Sequence, residues 1–137
     1  MSTDEQQVLN GEAHGQVLMA ICNEMVGLYK VRLGRGPTAS RAVWATENVV
    51  TVFLEDTLAP MERQLASRGD HGRLREMRTH FQYASLREFC EPVERITGRK
   101  VRAFLSATDI EVDGLSMETF VLHPVGFDGP SRTEIGT

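Results

Sequence analysis

A chain of 137 residues, 41% apolar and 25% charged, has the size and mix of one globular domain, enough to close a core without disulfides or a structural metal. Its net charge of −4, from 15 Lys+Arg against 19 Asp+Glu, disfavours a globally basic nucleic-acid binder. No apolar run approaches the ~18 residues of a membrane span, the opening Met-Ser-Thr-Asp-Glu is unlike a secretory leader, and Cys22 and Cys90 stand far apart as small hydrophobes, so a cytoplasmic protein is expected.

Leu9, Ala13, Val17, Ile21, Met25 and Leu28 recur at helical spacing and predict a long amphipathic first helix over about residues 6–31. Gly11, Gly15 and Gly27 each cost roughly 1 kcal/mol against Ala inside a helix, so packing must hold it and its first turns are expected to fray. Gly34-Arg35-Gly36-Pro37 ends it, since Gly supplies a left-handed cap and Pro cannot continue the ladder. Residues 40–46 and 49–54 are β-branched and aromatic, and the turn at Glu47-Asn48 makes them a hairpin in which Asn48 can take positive φ. Val50, Val52 and Leu54 fall on one face of the second strand and Val49, Thr51 and Phe53 on the other. Neither face is polar, which predicts a central strand.

Pro60, favoured in a first helical turn, starts a short helix to about residue 67, and Gly69-Asp70-His71-Gly72 breaks it. A longer helix is expected over residues 73–97, on Leu74, Met77, Phe81, Phe89, Val93 and Ile96, kinked at Pro92 and closed by Gly98. Alternation over residues 101–108 and a β-like run over 115–122 predict a second hairpin turning through residues 109–114. Beyond residue 124 Gly, Pro, Ser and Thr dominate. The expected organisation is one domain, residues 1–123, with a disordered tail, 124–137, whose removal should matter less than removal of residues up to 17. Strands in consecutive pairs give the fold class: α+β, ordered helix, β-hairpin, two helices, β-hairpin, with an antiparallel or mixed sheet covered by helices.

Gly34-Arg35-Gly36-Pro37-Thr38-Ala39 matches the letters of a dinucleotide fingerprint, but a helix precedes it and a strand follows, the reverse of the context that places a pyrophosphate on a helix N-terminus. Glu62, two residues after Pro60, reads as the acid of a capping box. The four histidines and two cysteines form no paired ligand motif, and Asp109, Glu111 and Asp113 before Gly114 read as a solvated turn, so neither metal nor cofactor is expected. Residues 61–102 hold ten of the 15 Lys+Arg and six acids, but interleaving favours a solvated helix face neutralised by the acidic first helix over a nucleic-acid surface. Arg78 falls within the apolar stripe of the long helix near Leu74 and Phe81. A guanidinium there must snorkel, pair with an acid elsewhere in the fold, or grip an anionic ligand, and pairing is the favoured reading.

These residues together resemble the MpsC family. The marks are Gly34-Arg35-Gly36-Pro37, Leu58-Ala59-Pro60-Met61-Glu62 with Leu65, Arg78, Thr97-Gly98-Arg99-Lys100-Val101, Asp109 and Asp113, and a closing Phe120-Val121-Leu122, spanning about residues 12–122. Ala59 stands where that family usually has Thr, so the side-chain N-cap is absent and only Glu62 remains to cap the helix. The resemblance implies a bacterial, soluble component of a sodium-translocating, membrane-potential-generating system, associated with accumulation of inorganic carbon beside larger membrane and peripheral subunits.

The leading expectation is a cytoplasmic, non-enzymatic accessory or interaction protein, a homodimer, with protein subunits of a membrane system as partners. The alternative is an anion sensor or small enzyme using Arg78; a nucleic-acid-binding module comes third. Candidate ligand or partner contacts are Arg78, Arg75 and Arg99, and the candidate structural positions are Gly34, Gly36, Pro37, Pro60, Glu62 and Gly98.

Overall fold

The structure, a computed structural model, describes residues 2–136, and the side chains of these apart from residues 7–10. Leu9, placed by spacing on the first helix face, lies outside the described side chains.

Helix α1 spans Thr3–Leu33. Ser2 Oγ accepts from Glu5 N and Ser2 N donates to Glu5 Oε2, both at 3.2 Å, a reciprocal capping box that opens the helix where fraying was expected. Gly34, at φ 81°, closes it by donating its N–H to the Lys30 carbonyl at 3.1 Å. Ile21, Met25 and Tyr29 form its buried stripe. Residues 11–16 are exposed, because a helix of 31 residues rises about 46 Å while the strands beneath it reach roughly 25 Å.

Strands β1 (Ala39–Thr46) and β2 (Val49–Glu55) form the first hairpin; β3 (Val101–Thr108) and β4 (Ser116–Leu122) form the second. The four make one sheet in the order β1-β2-β4-β3, joined by antiparallel pairing of β2 with β4. β2 is central, as its two apolar faces require. Asn48 turns the first hairpin without positive φ; among the described non-glycine residues that conformation belongs to Asp56, at φ 53°.

Three helices separate the hairpins: α2 (Pro60–Ser67), α3 (His71–Ala84) and α4 (Leu86–Thr97). The single kinked helix expected over residues 73–97 is therefore two, and the break falls at Ser85. Pro92 sits buried inside α4 without ending it. The break lets α3 pack on α2 while α4 packs on α1 and β3. One face of the sheet supplies Val50, Val52, Leu54, Phe104 and Phe120 to the core, and Phe89 of α4 stacks on Phe104 at 5.1 Å, which stacks on Phe120 at 5.0 Å.

Residues 124–136, expected from composition to be a disordered tail, run back along the body. Lys100 Nζ donates to the Gly129 carbonyl at 2.5 Å, Ser131 is buried and caps a 3₁₀ turn (Arg132–Glu134), and that turn packs beside β3 and α4. Among the described residues no helix is long and apolar enough to cross a membrane.

Candidate functional site

The loop between β2 and α2 brings together Glu62 and Arg78, two of the polar positions singled out in the sequence. Glu62 sits in the first turn of α2, where its Oε1 accepts the Ala59 N–H at 2.8 Å, the one capping bond left when residue 59 has no side-chain oxygen. Arg78 reaches the same carboxylate from α3: Nε donates to Oε2 at 2.6 Å and Nη2 to Oε1 at 2.8 Å. Both side chains are buried. The fork-to-fork geometry satisfies both charges, which is what makes such a pair tenable away from water.

Nη2 also donates to the Thr57 carbonyl at 2.8 Å. From there a chain of hydroxyls continues inward: Thr57 Oγ1 donates to the Gly114 carbonyl at 2.9 Å and lies 2.9 Å from Ser116 Oγ, which lies 2.7 Å from Thr108 Oγ1. Gly114, at φ 75°, accepts the Thr57 N–H at 2.8 Å, so the tip of the second hairpin is tied to the same loop. On the outer side Arg35 donates to the Leu58 carbonyl and to Asp56 Oδ2, each at 3.2 Å, while Arg63 holds the other Asp56 oxygen. Gly34, Gly36 and Pro37 thus serve a turn that delivers Arg35. A Cβ at residue 36 would meet the Lys30 side chain at 2.8 Å.

The three candidate arginines do not converge. Arg75 is exposed and pairs with Glu111 of the hairpin turn. Arg75 and Arg78 line a small cavity of about 230 Å³ with Thr79, Gln82, Ser106 and Thr108. Arg99 lies at the opposite end of β3, after the Gly98 cap of α4, and laces the first hairpin turn to the end of β4: Nη1 donates to the Glu47 carbonyl at 2.9 Å, Nε to the His123 carbonyl at 2.8 Å, and Nη2 to Asn48 Oδ1. It borders a larger cleft of about 850 Å³ that includes His14, Trp44, Ile96 and Val125.

The other basic residues of this stretch are dispersed. Arg95 pairs with Glu24 of α1 at 2.9 Å and Lys100 holds the C-terminal segment, while Arg73, Arg87 and Arg102 are exposed. Among the described residues, no three His, Cys, Asp or Glu side chains are arranged to hold a metal.

One polar pair escaped the sequence reading. Glu118 of β4 is 0% exposed; its Oε1 accepts the Tyr29 hydroxyl at 2.5 Å and its Oε2 has no hydrogen-bond partner. Burial pushes its carboxyl up to about 7, against opposing pulls from Ser106, Tyr29 and Arg78. The same burial, with Glu118 beside it, holds the Tyr29 phenol well above its usual range. The signal was there: Glu118 shares strand parity with Ser116, Phe120 and Leu122, the face turned to the core.

A family model described as "Na+-translocating membrane potential-generating system (MpsC)" matches residues 13–124. No curated protein and no solved structure matches the chain.

Proposed function

The chain belongs to the MpsC family, and from that premise we propose that it is a small, non-catalytic accessory protein of a membrane-associated, Na+-translocating or inorganic-carbon-accumulating system, acting as a homodimer on the cytoplasmic side. The observation that carries this reading is the commitment of Arg78. Its Nε and Nη2 are spent on Glu62 and the Thr57 carbonyl, and its charge is cancelled in place. A guanidinium so occupied ties α2, α3 and the hairpin loop together, and its Nε and Nη2 are not free to hold a substrate.

The test is genetic and electrical. Deleting the chain in its native cell should lower the Na+-dependent membrane potential of inverted vesicles, and adding back purified protein should restore it. An unchanged potential after deletion overturns the proposal.

A second reading, an anion held by Arg78, has one observation in its favour. Arg78 Nη1 has only a long contact, 3.5 Å to Thr108 Oγ1, beside the cavity it shares with Arg75. Saturable calorimetric binding of bicarbonate or phosphate, abolished in Arg75→Ala with the fold intact, would favour it over the accessory role.

A further inference from the structure

The sheet has two faces, and only one is spent on the core. Cα register across the four strands places Arg41, Phe53, Met117 and Ala107 in one outer row, Val43, Thr51, Thr119 and Leu105 in the next, and Val49, Val121 and Ala103 in a third. These eleven positions carry one charge, Arg41, and the register continues the face to one more pair, Ala39 and the exposed Glu55, so its two charges lie together at one end. Leu105 is 62% exposed and Met117 38%, and Phe53, Val43, Val49 and Val121 are half-buried. At the centre Thr51 and Thr119 satisfy each other, Oγ1 to Oγ1 at 3.1 Å, so the middle of the face asks for no outside hydrogen bond.

We infer that this outer face is the surface through which two copies of the chain pair, sheet against sheet. The assignment rests on the homodimer reading above and gives it a location. Three properties of the face select a second copy as its occupant. A two-fold pairing about an axis along the strands sets each row against the same row, and with Arg41 and Glu55 both at one end of the face it opposes no like charges at its centre. A second copy also brings the same handed twist, the condition under which two sheets pack aligned about 10 Å apart. Finally, four strands about 4.8 Å apart and some seven residues long, at about 3.3 Å each, make a footprint near 20 by 20 Å, so two copies remove on the order of 1,000 Å² of accessible surface, the threshold of a specific interface. A partner chosen by charge would be met by more than one arginine and one glutamate at the end of the face.

The experiment is light scattering on the full chain at micromolar concentration, with two kinds of variant. Wild type should run at twice the 15.3 kDa chain mass. Leu105→Lys and Met117→Lys should weaken self-association at least tenfold while leaving the circular dichroism spectrum unchanged. Leu105→Cys guards against a lysine variant that fails to fold. Cys22 and Cys90 are both buried, so a maleimide reads the new thiol, and its labelling should slow as protein concentration rises through the dimer range. A dimeric wild type whose Leu105→Cys thiol labels at the same rate at every concentration overturns the face and leaves the homodimer standing. A monomeric wild type overturns both.

Discussion

The two faces of β4 differ by a single step along the strand. Ser116, Glu118, Phe120 and Leu122 turn inward, while Met117, Thr119 and Val121 turn outward. The inward face holds a fully buried carboxyl group, and the outward face leaves a methionine and, from β3, a leucine in the open. Hydrophobicity of the residue therefore does not decide its burial here; what covers the face does. The inward polar groups are tolerated where they find partners, Ser116 in Thr57 and Thr108 and Glu118 Oε1 in Tyr29, while the outward Met117 and Leu105 stay open to solvent.

The largest way to break the inward face is to orphan a charge. Arg78→Ala should lower stability by roughly 3 to 5 kcal/mol, since Glu62 is left buried without its counter-ion. Arg87→Ala, on the exposed side of α4, should cost under about 1 kcal/mol. Urea midpoints measure both, and Arg78→Lys should recover only part of the loss because an ammonium cannot match the planar fork.

Glu118 sharpens the comparison through pH. Its folded carboxyl binds a proton up to about 7, against an ordinary value of 4.5, so between the two the folded state holds a proton that the unfolded state has released. Stability should then fall as pH rises through this window, by about 3 kcal/mol in all, and level off above it. Glu118→Gln should flatten the profile and be the more stable protein at pH 8. Urea unfolding from pH 5 to 8.5 checks it; a wild type that gains stability over that range would refute the protonated carboxyl.

The ends of the chain give the next effect. The thermal midpoint of a truncated chain is the readout. Removing residues 124–137 should lower it by several degrees, since Ser131 and the Lys100 bond to Gly129 go with them. From composition, removal of this segment was expected to matter less than removal of residues up to 17. Smallest is a gain: Ala59→Thr, where the N-cap lacks a side-chain oxygen, should add about 1 kcal/mol, again read from the urea midpoint.

Local signals in the sequence carried most of the fold. Gly34 and Gly98 are left-handed caps, Pro60 opens α2, Glu62 caps it, and both hairpins turn where their β-like runs stop. The break between α3 and α4 was hidden because Pro92 is the louder residue, yet Ser85 is where two different packing partners divide the chain. The C-terminal segment was hidden for a related reason. Its anchoring comes from one lysine, one serine and one short turn, none of which has a period. As for the candidate site, the need of Arg78 for a partner was legible from its helix face, but its partner was not, because Glu62 already had a sufficient local explanation as a cap. Pairing across 16 residues of chain is a property of the assembled fold.

Glu62 answers to two masters with one carboxylate: Oε1 serves both the start of α2 and Arg78 of α3. Loss of that group would fray a helix and strand a cation in the same event, so the two defects cannot be repaired separately. A double-mutant cycle at positions 62 and 78 would be strongly non-additive, with the pair far less harmful to lose together than singly. In evolutionary terms the route between a charged and an apolar version of this corner crosses a valley, passable only by two changes at once.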